Sequence, residues 1–145
     1  MSFSKPLGSE DESGFSFVKE LLGGEPTCAI NFDRLQKHPK HGYIIFEFLL
    51  CEASQKVNPW TSHPRKYWHL NAQKFISLFQ VARDLNAILY LVNYARKGTV
   101  HEDKVRVIRV RHLDPQKGIT DDDTKEMSRG EFAKLFKALN AESCQ

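Results

Sequence analysis

The sequence predicts one α/β domain with a mixed central β-sheet flanked by helices. Two apolar runs, Tyr43 to Cys51 and Ala87 to Tyr94, have strand length and are rich in Ile, Leu, Val and Phe. Between them Phe75, Leu78, Phe79, Ala82 and Leu85 recur at helical spacing. The chain has 145 residues, 41% of them hydrophobic, which is the size and composition of one ordinary domain with a core of its own.

Residues 1 to 13 lack periodicity and are expected to form a flexible start, leaving residues 14 to 145 as the domain. Phe15, Phe17, Val18, Leu21 and Leu22 then give a short helical pattern closed by Gly23-Gly24. Cys28 to Phe32 alternates apolar with small or polar residues and reads as a strand ending near Asp33. The basic stretch Arg34 to His41 leads through Gly42 into the first apolar run, which reads as a strand covered on both faces. Residues 52 to 70 hold Asn58-Pro59-Trp60 and His63-Pro64-Arg65 and read as a long irregular loop.

Asn71 offers an N-cap to the central helix, which Asn86-Ala87 stops. A second strand covers Ala87 to Tyr94, and Lys97-Gly98 marks a turn. Lys104 to Val110 is a third strand whose alternation changes phase between Val107 and Ile108, as a bulge or a change of covering would cause. Asp121-Asp122-Asp123 reads as a solvated connector, because the spacing and glycine of a calcium loop are missing. Ser128 and Glu131 have capping-box spacing ahead of Phe132, Leu135, Phe136 and Leu139, which predicts a terminal amphipathic helix.

A net charge of +3 is compatible with a phosphate-bearing partner without requiring one. Cys28, Cys51 and Cys144 form no C-x-x-C pair; two lie in strand-like contexts and read as buried thiols of a reducing compartment. With no signal peptide or membrane-length apolar run, the expectation is a cytoplasmic protein with no membrane partner.

Glu47 sits inside the first apolar run, where a carboxylate is costly unless a cation, hydrogen bonds or a proton compensates it. Thirteen residues separate it from Asp33, enough to return the chain and set the two carboxylates side by side. Two close carboxylates repel unless a hard cation lies between them, which suits Mg²⁺ or Mn²⁺. The alternative is that Glu47 pairs with a buried Arg or Lys while Asp33 caps a turn.

A helix bearing an acid, then Asp33, then an apolar strand bearing Glu47, then a helix and another strand, resembles the restriction-endonuclease-like nucleases with the PD-(D/E)-x-K signature over roughly residues 14 to 95. The resemblance implies a restriction-endonuclease-like sheet and a hydrolase acting on nucleic acid, DNA ahead of RNA. It also implies metal ligation by Asp33, Glu47 and the backbone carbonyl of Phe48, an extra acid at Glu20, and a homodimer as one arrangement. Leu49 stands where that signature places its Lys. Some members supply the Lys from the next helix, and Lys74 shares the inward stripe of Leu78, Val81 and Leu85; the alternative is a Lys whose stem covers core while its ammonium reaches solvent. Gln73 on the neighbouring turn is a further candidate, with plain surface exposure the preferred reading.

Arg34, Lys37, Lys40, Arg65 and Lys66, with Trp60, Tyr67 and Trp68, fall on the two segments flanking the Glu47 strand and are the candidate nucleic-acid contacts, phosphates for the cations and stacking faces for the rings. The expected activity is metal-dependent phosphodiester hydrolysis, with Asp33, Glu47, Lys74 and Glu20 as catalytic residues. The competing expectations are a catalytically inactive module of the same shape that binds nucleic acid or a protein partner, and a structural or inhibitory protein.

Overall fold

The computed structural model describes residues 13–144; the rest of the N-terminus, where a flexible start is expected, and Gln145 lie outside the described residues. A five-stranded sheet runs in the order β1 (Arg34–His38), β2 (Gly42–Leu50), β3 (Ile88–Tyr94), β4 (Lys104–Asp114) and β5 (Gly118–Ser128). All neighbours are antiparallel except β2 and β3, which are parallel and joined through helix α2 (Trp68–Asp84). The expected mixed α/β architecture is therefore present.

Each sheet face has its own core. Ile45, Leu89, Leu91, Ile108 and Val110 face α2, where Trp68, Phe75, Leu78 and Ala82 meet them. Ile44, Phe46, Val92, Val105 and Val107 face the other way, against Phe132, Phe136 and Leu139 of α3 (Arg129–Ser143). The long apolar run of β2 follows from this double covering, since period-two alternation vanishes when both faces are buried. The phase change in β4 has the same cause: Val105 and Val107 belong to the α3 side, Ile108 and Val110 to the α2 side. The irregularity of register in β4 falls later, between Val110 and Leu113.

Several expectations are corrected. The first strand is Arg34–His38, not Cys28 to Phe32, because the chain bends at Asp33 and the Asp33 carboxylate accepts the Phe48 amide at 2.8 Å, ending the ladder with a side chain. Asp121 to Asp123 lie in edge strand β5, where Arg111 pairs with Asp123 and Arg106 with Glu126; cross-strand charge makes a strand of what reads as a solvated loop. The irregular loop closes early, with a 3-10 turn at Pro64–Tyr67 running into α2 at Trp68. Asn71, the expected N-cap, holds a non-helical backbone (φ −134°, ψ 19°) within α2, a kink where the sequence places the start. Cys51 is buried but Cys28 is exposed.

The helix α1 (Ser13–Leu22) forms as its periodicity predicts, with Phe15, Phe17, Val18 and Leu21 exposed. The capping box at Ser128 and Glu131 is complete on both bonds. No helix among the described residues is long and apolar enough to cross a membrane.

Candidate active site

The β1–β2 register pairs Arg34 with Phe46, so one step further sets Asp33 opposite Glu47. The carboxylates of residues 33 and 47 thus converge through antiparallel pairing rather than through any motif contiguous in sequence. On the other side, α2 lays its N-terminal half across the same face and brings Lys74 Nζ to 3.2 Å from Glu47 Oε1. Leu78, fully buried one turn later, anchors that helical stripe.

Glu47 is buried, with 7% of its side chain exposed against 42% for Lys74. Burial pushes the Glu47 carboxyl above its ordinary range; the Lys74 ammonium opposes the shift and the Asp33 carboxylate adds to it. Lys74 meets only one oxygen, and Glu47 Oε2 is buried without a hydrogen-bond partner. A buried, unpartnered carboxylate oxygen beside a second carboxylate is a donor set that fits a hard divalent cation. Phe48 adds to it: its N–H points at Asp33, and a strand residue's N–H and C=O point the same way, so its carbonyl also faces the side where β1 has ended. Two carboxylates and one carbonyl, completed by waters, is a Mg²⁺-like sphere rather than a tetrahedral zinc site. Among the described residues no cluster of three or more His, Cys, Asp or Glu side chains is present, so any ion held here relies on backbone and water for its remaining ligands.

The acidic pair lies in an open groove of about 550 Å³ walled by Thr27 to Asn31 on one side and by Gln73, Lys74 and Ser77 of α2 on the other. The extended segment 27–31 is thus part of the site without being a strand. Sequence reasoning missed Thr27, Asn31 and Ser77, for which small polar residues in a loop or on a helix give no signal.

The other candidates are placed elsewhere. Glu20 is exposed on α1 and does not line the groove. Trp68 is buried in the core with its indole N–H donating to the Pro115 carbonyl, so it offers no face for a base. Arg34 lies on the opposite sheet face, its guanidinium 5.0 Å over the Phe136 ring and bonded to Asn140. Lys37 sits 5.4 Å over the Tyr43 ring, and Lys40 is in the hairpin at the N-terminal end of β2. Lys66 lies by the C-terminal end of that strand and Arg65 beside β5, so the two basic segments do not rim a single site. Arg65 bonds His63 and Asp122, whereas Lys66 faces a hollow beside the acidic groove.

His63 has a partner that the sequence does not announce, because Asp122 reads as loop. Its Nδ1 accepts the Arg65 amide at 3.1 Å and its Nε2 donates to Asp122 Oδ2 at 3.0 Å. With both ring nitrogens engaged, this buried pair ties the 3-10 turn to β5 and has no lone pair free for proton transfer. No family model matches the chain, and neither curated proteins nor solved structures show a match to it.

Proposed function

We propose that the domain is a metal-dependent nuclease with a restriction-endonuclease-like core, hydrolysing phosphodiester bonds of nucleic acid, DNA ahead of RNA, in the cytoplasm. One observation carries the reading: Asp33, Glu47 and Lys74, from a bend, a strand and a helix, meet in one groove where Glu47 Oε2 is buried and unpartnered. Asp33, Glu47 and the Phe48 carbonyl would hold Mg²⁺ or Mn²⁺. Such an ion, when bound, polarises a phosphoryl oxygen and makes a bound water acidic. The chain's own groups supply the remainder. Lys74, partly exposed and able to leave Glu47 once another cation neutralises it, places a positive charge against the phosphate and orients the attacking water. Gln73 and Ser77, joined by a 3.0 Å hydrogen bond on the same wall, offer polar contacts to the substrate backbone. A homodimer is one arrangement that the resemblance to these nucleases implies.

The test is cleavage of a labelled oligonucleotide with Mg²⁺ or Mn²⁺ by the wild type, Asp33→Asn and Glu47→Gln. Cleavage should fall at least about a hundredfold in both variants while circular dichroism stays unchanged; undiminished cleavage in Glu47→Gln removes the proposal. A second reading, a module that binds nucleic acid or a protein without cutting, is favoured by the Lys74–Glu47 pair itself, which neutralises the buried acid without any metal. Binding unaffected by Mg²⁺, together with no cleavage in a sensitive assay, selects it.

A further inference from the structure

We propose that a second hollow, at the carboxyl ends of the parallel strands β2 and β3, receives an unpaired nucleotide next to the bond worked on in the acidic groove, making single-stranded or frayed nucleic acid the substrate class. The proposal rests on the nuclease reading for its neighbour, but four features of the hollow argue for it directly.

Its volume, about 530 Å³, lies within the range of small-ligand sites, and it shares Lys74 as a common wall with the acidic groove. Its position, beyond the last residues of β2 and β3 and beside the start of the connecting helix, is where α/β sheets hold ligands. Its charge has one sign. Lys56 and Lys66 line it together with Lys74, whose ammonium is shared with Glu47 in the next groove, and no Asp or Glu is among its lining residues, so an anionic ligand is favoured. Its walls divide by chemistry: Tyr67 and the 83%-exposed Leu70 give an apolar side suited to a base. On the polar side stands Asn93, fully buried, whose amide nitrogen donates to the Pro59 and Ser62 carbonyls while its Oδ1 has no partner. An unmet acceptor buried in a β-strand is an exception in native structures, and this one belongs to a residue that walls the hollow. A nucleotide cannot enter such a hollow while stacked in a duplex, because its base must first leave the helix.

The experiment is a metal-free NMR titration in EDTA with deoxyadenosine monophosphate, deoxyadenosine and inorganic phosphate, on the wild type and on Lys66→Ala and Lys56→Ala, both exposed positions. The monophosphate should perturb the amide signals of Leu50, Cys51, Asn71 and Asn93, bind about tenfold more tightly than the nucleoside, and weaken about tenfold in Lys66→Ala. A short single strand should also bind Glu47→Gln more tightly than its duplex does. No perturbation at these amides, equal affinity in both lysine variants and the wild type, or preference for the duplex overturns the proposal. Because no metal or turnover is involved, a failed titration overturns the nucleotide pocket alone, and a failed cleavage assay with a successful titration overturns the acidic groove alone.

Discussion

Lys74 Nζ lies 3.2 Å from Glu47 Oε1, and this pair joins the centre of β2 to the first turns of α2. One partner is buried and the other is not, which makes the pair asymmetric: the Lys74 ammonium can reach water, whereas Glu47 cannot and needs another cation or a proton when Lys74 leaves. An ion pair evolved purely for stability has no need to leave the second carboxylate oxygen bare. On the proposed function, Lys74 is a resident cation that a divalent ion and substrate would displace.

The first consequence concerns stability. Since the folded-state pKa of Glu47 is raised above its ordinary value of 4.5, its contribution to stability is full below that value and is lost as pH rises through the raised one. Glu47→Gln removes the loss. Urea denaturation should find Glu47→Gln more stable than the wild type at pH 7.5, with the difference shrinking at pH 4. A variant less stable at pH 7.5 than at pH 4, relative to the wild type, contradicts the assignment.

Lys74 separates structure from activity. Its removal leaves the buried Glu47 carboxylate beside Asp33 without its cation, so Lys74→Ala should cost about 1 to 3 kcal/mol of stability at pH 7.5 and less at pH 4, where Glu47 carries a proton. Metal-dependent cleavage should nevertheless fall by about 10²- to 10⁴-fold, the range for a group acting on proton transfer or charge in the transition state. Single-turnover kinetics at saturating substrate distinguishes this from a loss of binding. A change in KM with unaltered kcat would place Lys74 in substrate binding only.

His63 predicts the opposite pH response. Burial holds its pKa below the ordinary 6.5, against the opposing pull of Asp122, so its contribution is present above 6.5 and is lost as pH falls towards the lowered value. Thermal midpoints should decline on acidification from about pH 6.5 downwards. His63→Asn, which can still accept the Arg65 amide, should flatten that decline while costing about 1 to 3 kcal/mol at neutral pH through the lost bond to Asp122.

Gly118 holds the floor under Trp68. Its φ of +97° suits no side chain, and a Cβ there would stand 3.2 Å from Trp68 Cδ2. Gly118→Ala should therefore destabilise by about 1 to 3 kcal/mol, read from denaturant midpoints, because both strain and overpacking act at one position. A neutral substitution would mean that the Trp68 ring and the turn before β5 can move apart freely.

Much of this architecture is legible in the sequence wherever one residue's environment is set locally. Tyr43 to Cys51 announces a doubly covered strand because eight apolar residues around Glu47 leave no solvent face, and Ser128 with Glu131 announces α3 because a capping box closes within four residues. Glu47 stands out for the same reason, as a charge with no polar side to turn to. What escapes is decided by partners distant in the chain. The strand that holds Asp121 to Asp123 pairs with β4, where Arg111 meets Asp123 and Arg106 meets Glu126 further along, and no composition rule reveals that pairing. Asp33 ends a ladder instead of following a strand because it meets the Phe48 amide. Trp68 reads like a stacking platform in a basic loop, yet Gly118 opens room for its ring in the core. Asn93 carries the same signal as Glu47, a polar residue within an apolar strand, and merits the same suspicion.

The most direct test is calorimetric titration of Mn²⁺ into the wild type, Asp33→Asn and Glu47→Gln at pH 7.5. One ion per chain should bind to the wild type, with affinity reduced at least about tenfold in each variant, since each removes one of two charged ligands. Equal binding by all three proteins, or none by the wild type, would show that the two carboxylates do not share an ion.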